Sequence, residues 1–381
     1  SSNLTMWLSV VVLVHVLLLS NSVESQSIID TLPGFPGKLP FKLETGYIGV
    51  GELDEVQLFY YFIESERNPK DDPLVLWLTG GPGCSALSAL LFEIGPFTFD
   101  YANSSGRNKP TLELNPYSWT KISNIIFLDA PVGTGFSYAT TWEAYNSNDT
   151  SSTTQTYEFL RKWLMTHSTF LVNPFYIAGD SYSGKTVPII VQEISNGNEI
   201  GHSPPLNLKG FVIGNPLTHE IWDVNARVKF AHRTALISDR LYQPIYYFQC
   251  YNYPYSYIWA NDKSVQKALH VREGTITNWE RCSNTLAYTQ NIITSIDYHR
   301  NLTKKDLRAL VYSGDHDMSI PYVGTLEWIE LLDLSIKDDW RPWFVDGQIA
   351  GFVQGGGHTA PEYKPKECLA MIDRWFAYYF L

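Results

Sequence analysis

The 381-residue sequence predicts an α/β domain with a mostly parallel central sheet and helices on both faces, and three observations carry that prediction. The runs Leu74–Leu78, Ile125–Leu128, Phe175–Ala178, Gly210–Ile213 and Leu310–Tyr312 are short and apolar, and each is followed by glycine, aspartate or serine, in the first case after Thr79. Strands covered on both faces read this way, whereas half-exposed strands alternate. Helix-period stretches, notably Ala86–Ile94, Thr154–Thr166 and Val187–Ile194, lie between those runs, which is the α/β rhythm. The small-residue turns fall at the carboxyl ends of the strands, where such sheets bind their ligands.

Taken in order, Met6–Leu19 is apolar apart from Ser9 and His15 and is followed by the small polar run Ser20–Ser25. That stretch is too short to span a bilayer and fits a secretory signal over residues 1–25. The chain starts at Ser1 without a basic lead, so its start is expected to be truncated. Residues 26–381 are expected to form one domain. Gly46–Ile63 alternates loosely and predicts an antiparallel hairpin. Arg240–Asp262 breaks the rhythm with seven tyrosines and two prolines, and both a lid over a pocket and an aromatic core under a loop remain open.

An apolar fraction of 44% excludes a disordered chain, and a net charge of −11 argues against nucleic acid or an anionic membrane as partner. After removal of the signal, no stable membrane association is expected. Asn103, Asn148 and Asn301 each begin a glycosylation triplet. Cys84, Cys250, Cys282 and Cys368 lack zinc-like spacing and predict one or two disulfides in an oxidising compartment.

Ser181 lies in Tyr176-Ile-Ala-Gly-Asp-Ser-Tyr-Ser-Gly184, an apolar run that ends in a small-residue turn before a helix. This is a nucleophile elbow, in which a strained backbone lifts the serine above the sheet. Ser183 stands where glycine is usual, and Gly184 follows. A serine nucleophile needs a histidine base oriented by a carboxylate, in the chain order serine, acid, histidine. Asp315 and Asp317 both follow the strand at Leu310–Tyr312, and His358 follows the run Gly355–Gly357. Two backbone amides must hold the oxyanion: Tyr182, next to the serine, and Gly81 in the loop Thr79-Gly-Gly-Pro-Gly-Cys84. Gly133-Thr-Gly135 is not a dinucleotide loop, because Tyr138 stands at the third glycine position.

Trp77–Ser85, Asp129–Ser137, Gly179–Gly184, Ser313–Asp317 and Gly356–His358, in this order over nearly the whole mature chain, resemble the motifs of the serine carboxypeptidases. The resemblance implies an α/β-hydrolase fold with an inserted cap at about residues 218–262. It implies Ser181, Asp317 and His358 as the triad, Gly81 and Tyr182 as oxyanion donors, and a Cys84–Cys282 disulfide that leaves Cys250 and Cys368 free. It also implies a shortened cap, since relatives carry a longer, cysteine-containing stretch between the positions of Leu241 and Cys250. No metal or diffusible cofactor is implied.

In the family's peptidases an asparagine and two glutamates hold the substrate's terminal carboxylate. Here Glu93 matches, but Thr79 replaces the asparagine and Asp180 replaces the other glutamate. A site that loses the donors its ligand needs discriminates poorly. These departures resemble the plant acyltransferase branch, whose members pass an acyl group from a 1-O-acyl-β-glucose of a phenolic acid to an acceptor hydroxyl. The expected partners are therefore a small acyl donor and acceptor, with peptide hydrolysis as the alternative and a non-catalytic ligand binder, disfavoured by the intact triad, as a third reading. The resemblance suggests the secretory pathway, ending in the vacuole or outside the cell.

Overall fold

A computed structural model describes residues 26–104, 110–237, 253–339, 341–350 and 356–379. The expected signal stretch, Cys250 and most of the tyrosine-rich segment lie outside these. The main sheet is built from Ser27–Ile29 (β1), Leu43–Val50 (β2), Val56–Ile63 (β3), Leu74–Leu78 (β4), Asn124–Leu128 (β5), Phe175–Asp180 (β6), Leu208–Gly214 (β7) and Arg308–Tyr312 (β8). Their spatial order is β1-β2-β3-β5-β4-β6-β7-β8, with the short strand Tyr138–Ala139 paired to β3. β1, β2 and β3 pair antiparallel, β3 pairs antiparallel with β5, and β5 to β8 with β4 among them are parallel.

Each apolar run becomes a strand because both of its faces are covered. Leu74, Leu76 and Leu78 enter one buried cluster with Ile177 and Ile213, while Val75 and Trp77 enter the opposite one with Tyr176 and Val212. Helices Asp149–Thr166 (α1) and Ser183–Glu199 (α2) pack on the first of these faces, supplying Phe159, Leu160, Trp163, Val187, Ile190 and Ile194. Helix Pro365–Phe376 supplies Met371, Ile372 and Trp375 to the other.

Two expectations change. The stretch Ala86–Ile94 is helical as expected, but π-helical rather than α-helical over Ala89–Glu93, a geometry often found at functional sites. It leaves Glu93 buried. Within the described part of the tyrosine-rich stretch, Pro254–Asn261 is a helix whose Trp259 is fully buried and donates its indole N–H to Pro33 O at 2.8 Å. Trp259 and Ala260 are thus core, while Tyr257 and Ile258 on the same helix are exposed. The other described part of the expected cap carries helix Glu220–Arg233 (α3), which packs on helix Tyr322–Glu330 (α4) through Ala226, Phe230 and Val323.

Candidate active site

Ser181 follows the last residue of β6 with φ +56°, and its amide donates to Gly214 O at 2.9 Å. A non-glycine residue in the left-handed region costs about 1–3 kcal/mol and persists where its surroundings over-determine it. The small neighbours have steric reasons. A Cβ on Gly179 would lie 2.4 Å from Leu78 O and 2.7 Å from the Ser183 Cβ. Ser183 is tolerated where glycine is usual because its hydroxyl donates to Leu78 O at 2.9 Å.

The loops after β8 and before residue 360 bring the two partners in. His358 Nε2 is 2.8 Å from Ser181 Oγ, and His358 Nδ1 is 2.7 Å from Asp317 Oδ2. Asp317 Oδ1 accepts from the Ser319 amide at 2.7 Å, and Oδ2 also accepts from the Ile320 amide at 3.1 Å and Asn215 Nδ2 at 2.7 Å. Burial works against its ionisation, but the hydrogen bond and charge of His358 and these donors hold the carboxyl below its ordinary value. For His358, burial is likewise outweighed by the hydrogen bond and charge of Asp317 and the charge of Asp180, so its pKa is raised. Asp315, the other candidate acid, accepts from the Gly356 amide at 3.0 Å and pairs with His316. It holds the histidine loop rather than the histidine. That loop is packed, not free: a Cβ on Gly314 would lie 2.3 Å from Gly357 O, and one on Gly357 would strike the Tyr363 ring at 2.6 Å.

Asn215 was missed by the sequence reading. It sits just after β7 with φ +42°, and its Oδ1 accepts from the Gly314 amide at 3.2 Å. Its only sequence signal is an asparagine after a strand-ending glycine.

The Gly80–Cys84 loop packs directly on the elbow. A Cβ on Gly80 would be 2.6 Å from the Ser181 Cβ and 2.7 Å from the Tyr182 amide nitrogen. The Gly81 and Tyr182 amides donate to no acceptor among the described residues, which leaves both available to an oxyanion. Cys84 and Cys282 form a disulfide, and the Ser283 and Ser85 amides donate to Gly83 O and Arg281 O at 2.9 and 2.8 Å. Asp129 supports the same loop from behind, accepting from Ser85 Oγ, the Ala86 amide and the Phe136 amide at 2.7, 2.8 and 2.9 Å. The Asp129–Ser137 motif is thus a buttress, and Gly135 is required where a Cβ would lie 2.1 Å from Asp129 Oδ2.

Beside the triad lies a cluster of acids. Asp180 is buried; burial raises its pKa to about 6 although His358 and the Gly80 amide work against the rise. Burial, then the charges of Asp180 and Glu362, push Glu93 well above the carboxylate range, with Arg281 opposing. Glu93 Oε2 and Asp180 Oδ1 are sealed from solvent and have no hydrogen-bond partner among the described residues. Glu362, another residue the sequence reading missed, accepts from Thr359 Oγ1 at 2.6 Å and Tyr253 Oη at 3.2 Å. The Arg281 guanidinium lies 4.1 Å over the Tyr253 ring. The Thr79 hydroxyl is likewise sealed and unpartnered among the described residues, and the residue lines a small recess with Pro82, Ser152, Tyr182 and Tyr288.

Of the glycosylation acceptors, Asn148 is the N-cap of α1, where its Oδ1 accepts from the Ser151 amide at 2.9 Å next to fully buried Asp149. Asn301 is exposed, and the side chain of Asn103 lies outside the description. Cys368 is a buried free thiol. Among the described residues no cluster of three His, Cys, Asp or Glu side chains is arranged to hold a metal ion, and no helix is long and apolar enough to cross a membrane.

Comparison with known proteins bears on the family and the fold. The sequence profile described as serine carboxypeptidase matches residues 33–255 and 243–378. Serine carboxypeptidase-like 1 of Arabidopsis thaliana is 48% identical over 426 residues, and serine carboxypeptidase-like 2 of the same plant is 47% identical; each alignment covers 96% of this chain and 96% of the relative. An alignment of that length exceeds the 381 residues here, so these relatives carry residues without a counterpart. A prohormone-processing carboxypeptidase from Saccharomyces cerevisiae has a similar structure, with TM-score 0.75 and 19% identity, covering 91% of this chain and 94% of that one.

Proposed function

The chain belongs to the serine carboxypeptidase family, and we propose that it works there as an acyltransferase, moving an acyl group from a 1-O-acyl-β-glucose ester of a phenolic acid to an acceptor hydroxyl. His358 Nε2 takes the Ser181 proton as Oγ attacks the ester carbonyl, and the Gly81 and Tyr182 amides hold the resulting oxyanion. Collapse of the intermediate breaks the bond to the sugar oxygen, which receives that proton from His358. The acceptor hydroxyl then gives its proton to His358 and attacks the acyl-enzyme, and the second collapse returns the proton to Ser181. Asp317 keeps the imidazole in one tautomer and stabilises its cation.

The observation that supports this reading is the acid cluster: Glu93 Oε2 and Asp180 Oδ1 are buried carboxyl oxygens without partners among the described residues, and the threonine at position 79 brings no amide donor to them. A sugar brings hydroxyl donors to unpaired acceptors, whereas a peptide's terminal carboxylate brings more acceptors. Carboxypeptidase activity is the second reading, favoured by the raised pKa of Glu93, since a protonated Glu93 donates to a carboxylate. The same proposal places the chain in the secretory pathway, bound for the vacuole or the exterior, with a shortened cap after α3.

Mass spectrometry of products tests it, using a hydroxycinnamoyl-β-glucose with an alcohol acceptor and, separately, a blocked dipeptide. Ester transfer that disappears in Ser181→Ala, without amino-acid release, is the expected result. Amino-acid release alone would establish the peptidase.

A further inference from the structure

Lys185 is out of place by three local rules. It is the third residue of α2, where the helix presents the positive end of its dipole and favours anions. Its side chain is fully buried, and its ammonium has no hydrogen-bond acceptor among the described residues, although buried cations are normally paired and hydrogen-bonded. The nearest carboxylate oxygen, Oε2 of half-exposed Glu220, is 3.6 Å away. Residues that break local rules together are expected where function, not stability, chose them.

What the ammonium does face is Tyr182. Nζ lies 5.0 Å from the centre of that ring, in cation–π range. The far end of the same side chain is pinned, because Tyr182 Oη donates to Asp149 Oδ1 at 2.6 Å, and Asp149 also accepts from Tyr288 Oη and the Ile292 amide. Tyr182 is therefore held at its hydroxyl by an anion and on its face by a cation, and its amide is one of the two donors left free beside Ser181. Glu220, the first residue of α3, is tied by its amide to Ile293 O, so the counter-charge comes from outside the sheet while the ammonium belongs to the nucleophile's own helix.

We propose that Lys185 is a positioning residue for acyl transfer, fixing Tyr182 and adding a positive charge behind the oxyanion hole that Glu220 partly offsets. A charge fixed in a dry site acts on developing negative charge without reorganising. This rests on the assignment of Ser181 and Tyr182 above but not on the identity of the acyl donor.

The test is the rate at which a fluorophosphonate probe labels the full chain, since its phosphoryl oxygen must enter the oxyanion hole for any donor preference. Lys185→Met is expected to slow labelling about ten-fold with melting temperature unchanged, and Lys185→Arg to restore it to within about two-fold. Glu220→Gln, at a half-exposed position, removes the offsetting anion and is expected to raise the rate about two-fold. Labelling of Lys185→Met at the wild-type rate, an arginine variant as slow as the methionine one, or an unchanged or slower Glu220→Gln would overturn the proposal. If the wild-type chain is not labelled at all, the serine assignment itself fails.

Discussion

Asp317 and Asp180 are both buried carboxyls at the carboxyl ends of sheet strands, and both influence His358. Asp317 accepts four hydrogen bonds across its two oxygens, whereas Asp180 leaves Oδ1 without a partner. The first carboxyl is held below its ordinary pKa and the second is raised to about 6. Burial acts the same way on both, so the donors decide the difference. The Asp317 carboxyl is satisfied by the protein's own donors, while Asp180 leaves one oxygen unsatisfied among the described residues.

Breaking the satisfied side has the largest expected effect. Asp317→Asn leaves the imidazole in the wrong tautomer and should lower kcat about 10⁴-fold. Asp315→Asn, which weakens the anchor of the Gly356 amide and the pair with His316, should cost about ten-fold, and steady-state kinetics of the two variants on one ester substrate separates the roles. Equal losses would mean that Asp315 shares the acid's function. Gly80→Ala pushes the oxyanion loop away from Ser181 and should lower kcat about 10²-fold with little change in KM, because the oxyanion exists only after attack.

The unsatisfied side is tested through pH. Catalysis needs neutral His358, and the negative charge of Asp180 favours the protonated form, so activity falls as pH drops through a raised His358 pKa. In Asp180→Asn that charge is gone, the His358 pKa falls, and the acid limb of kcat/KM moves to lower pH. Because Asp180 itself titrates at about 6, the wild-type and variant profiles should differ most just above that pH. A limb that stays in place would show that the two groups do not communicate. The smallest effect is expected for Thr79→Val, which removes a sealed hydroxyl: KM for the ester should change less than about two-fold, and stability should hold or rise by up to about 1 kcal/mol in a denaturant titration. A large rise in KM would return Thr79 to the substrate face.

Much of this site is legible in the chain because close packing forces residue type at single positions. Gly179, Gly80 and Gly135 each sit where a Cβ would overlap a named atom, so the motifs around Ser181 and the oxyanion loop leave a local imprint. The five parallel strands are equally legible, since two covered faces demand uninterrupted apolar residues. Asn215 and Glu362 leave no such imprint, because their roles come from donors and acceptors 102 and 109 residues away in the chain. Lys185 leaves none either, because its isolation depends on what packs around the start of α2.

By itself, then, the sequence determined the fold class, the elbow, the histidine and the order of the catalytic parts, all of which depend on short-range sterics and periodicity. Tertiary structure supplied the donors that distinguish Asp317, which the family resemblance had already implied, from Asp315, made the Ala86–Ile94 stretch π-helical over Ala89–Glu93 with Glu93 buried, and placed a buried ammonium against Tyr182. Each of these depends on which donors and charges converge on one carboxyl, hydroxyl or ring, and that convergence is made by elements distant along the chain.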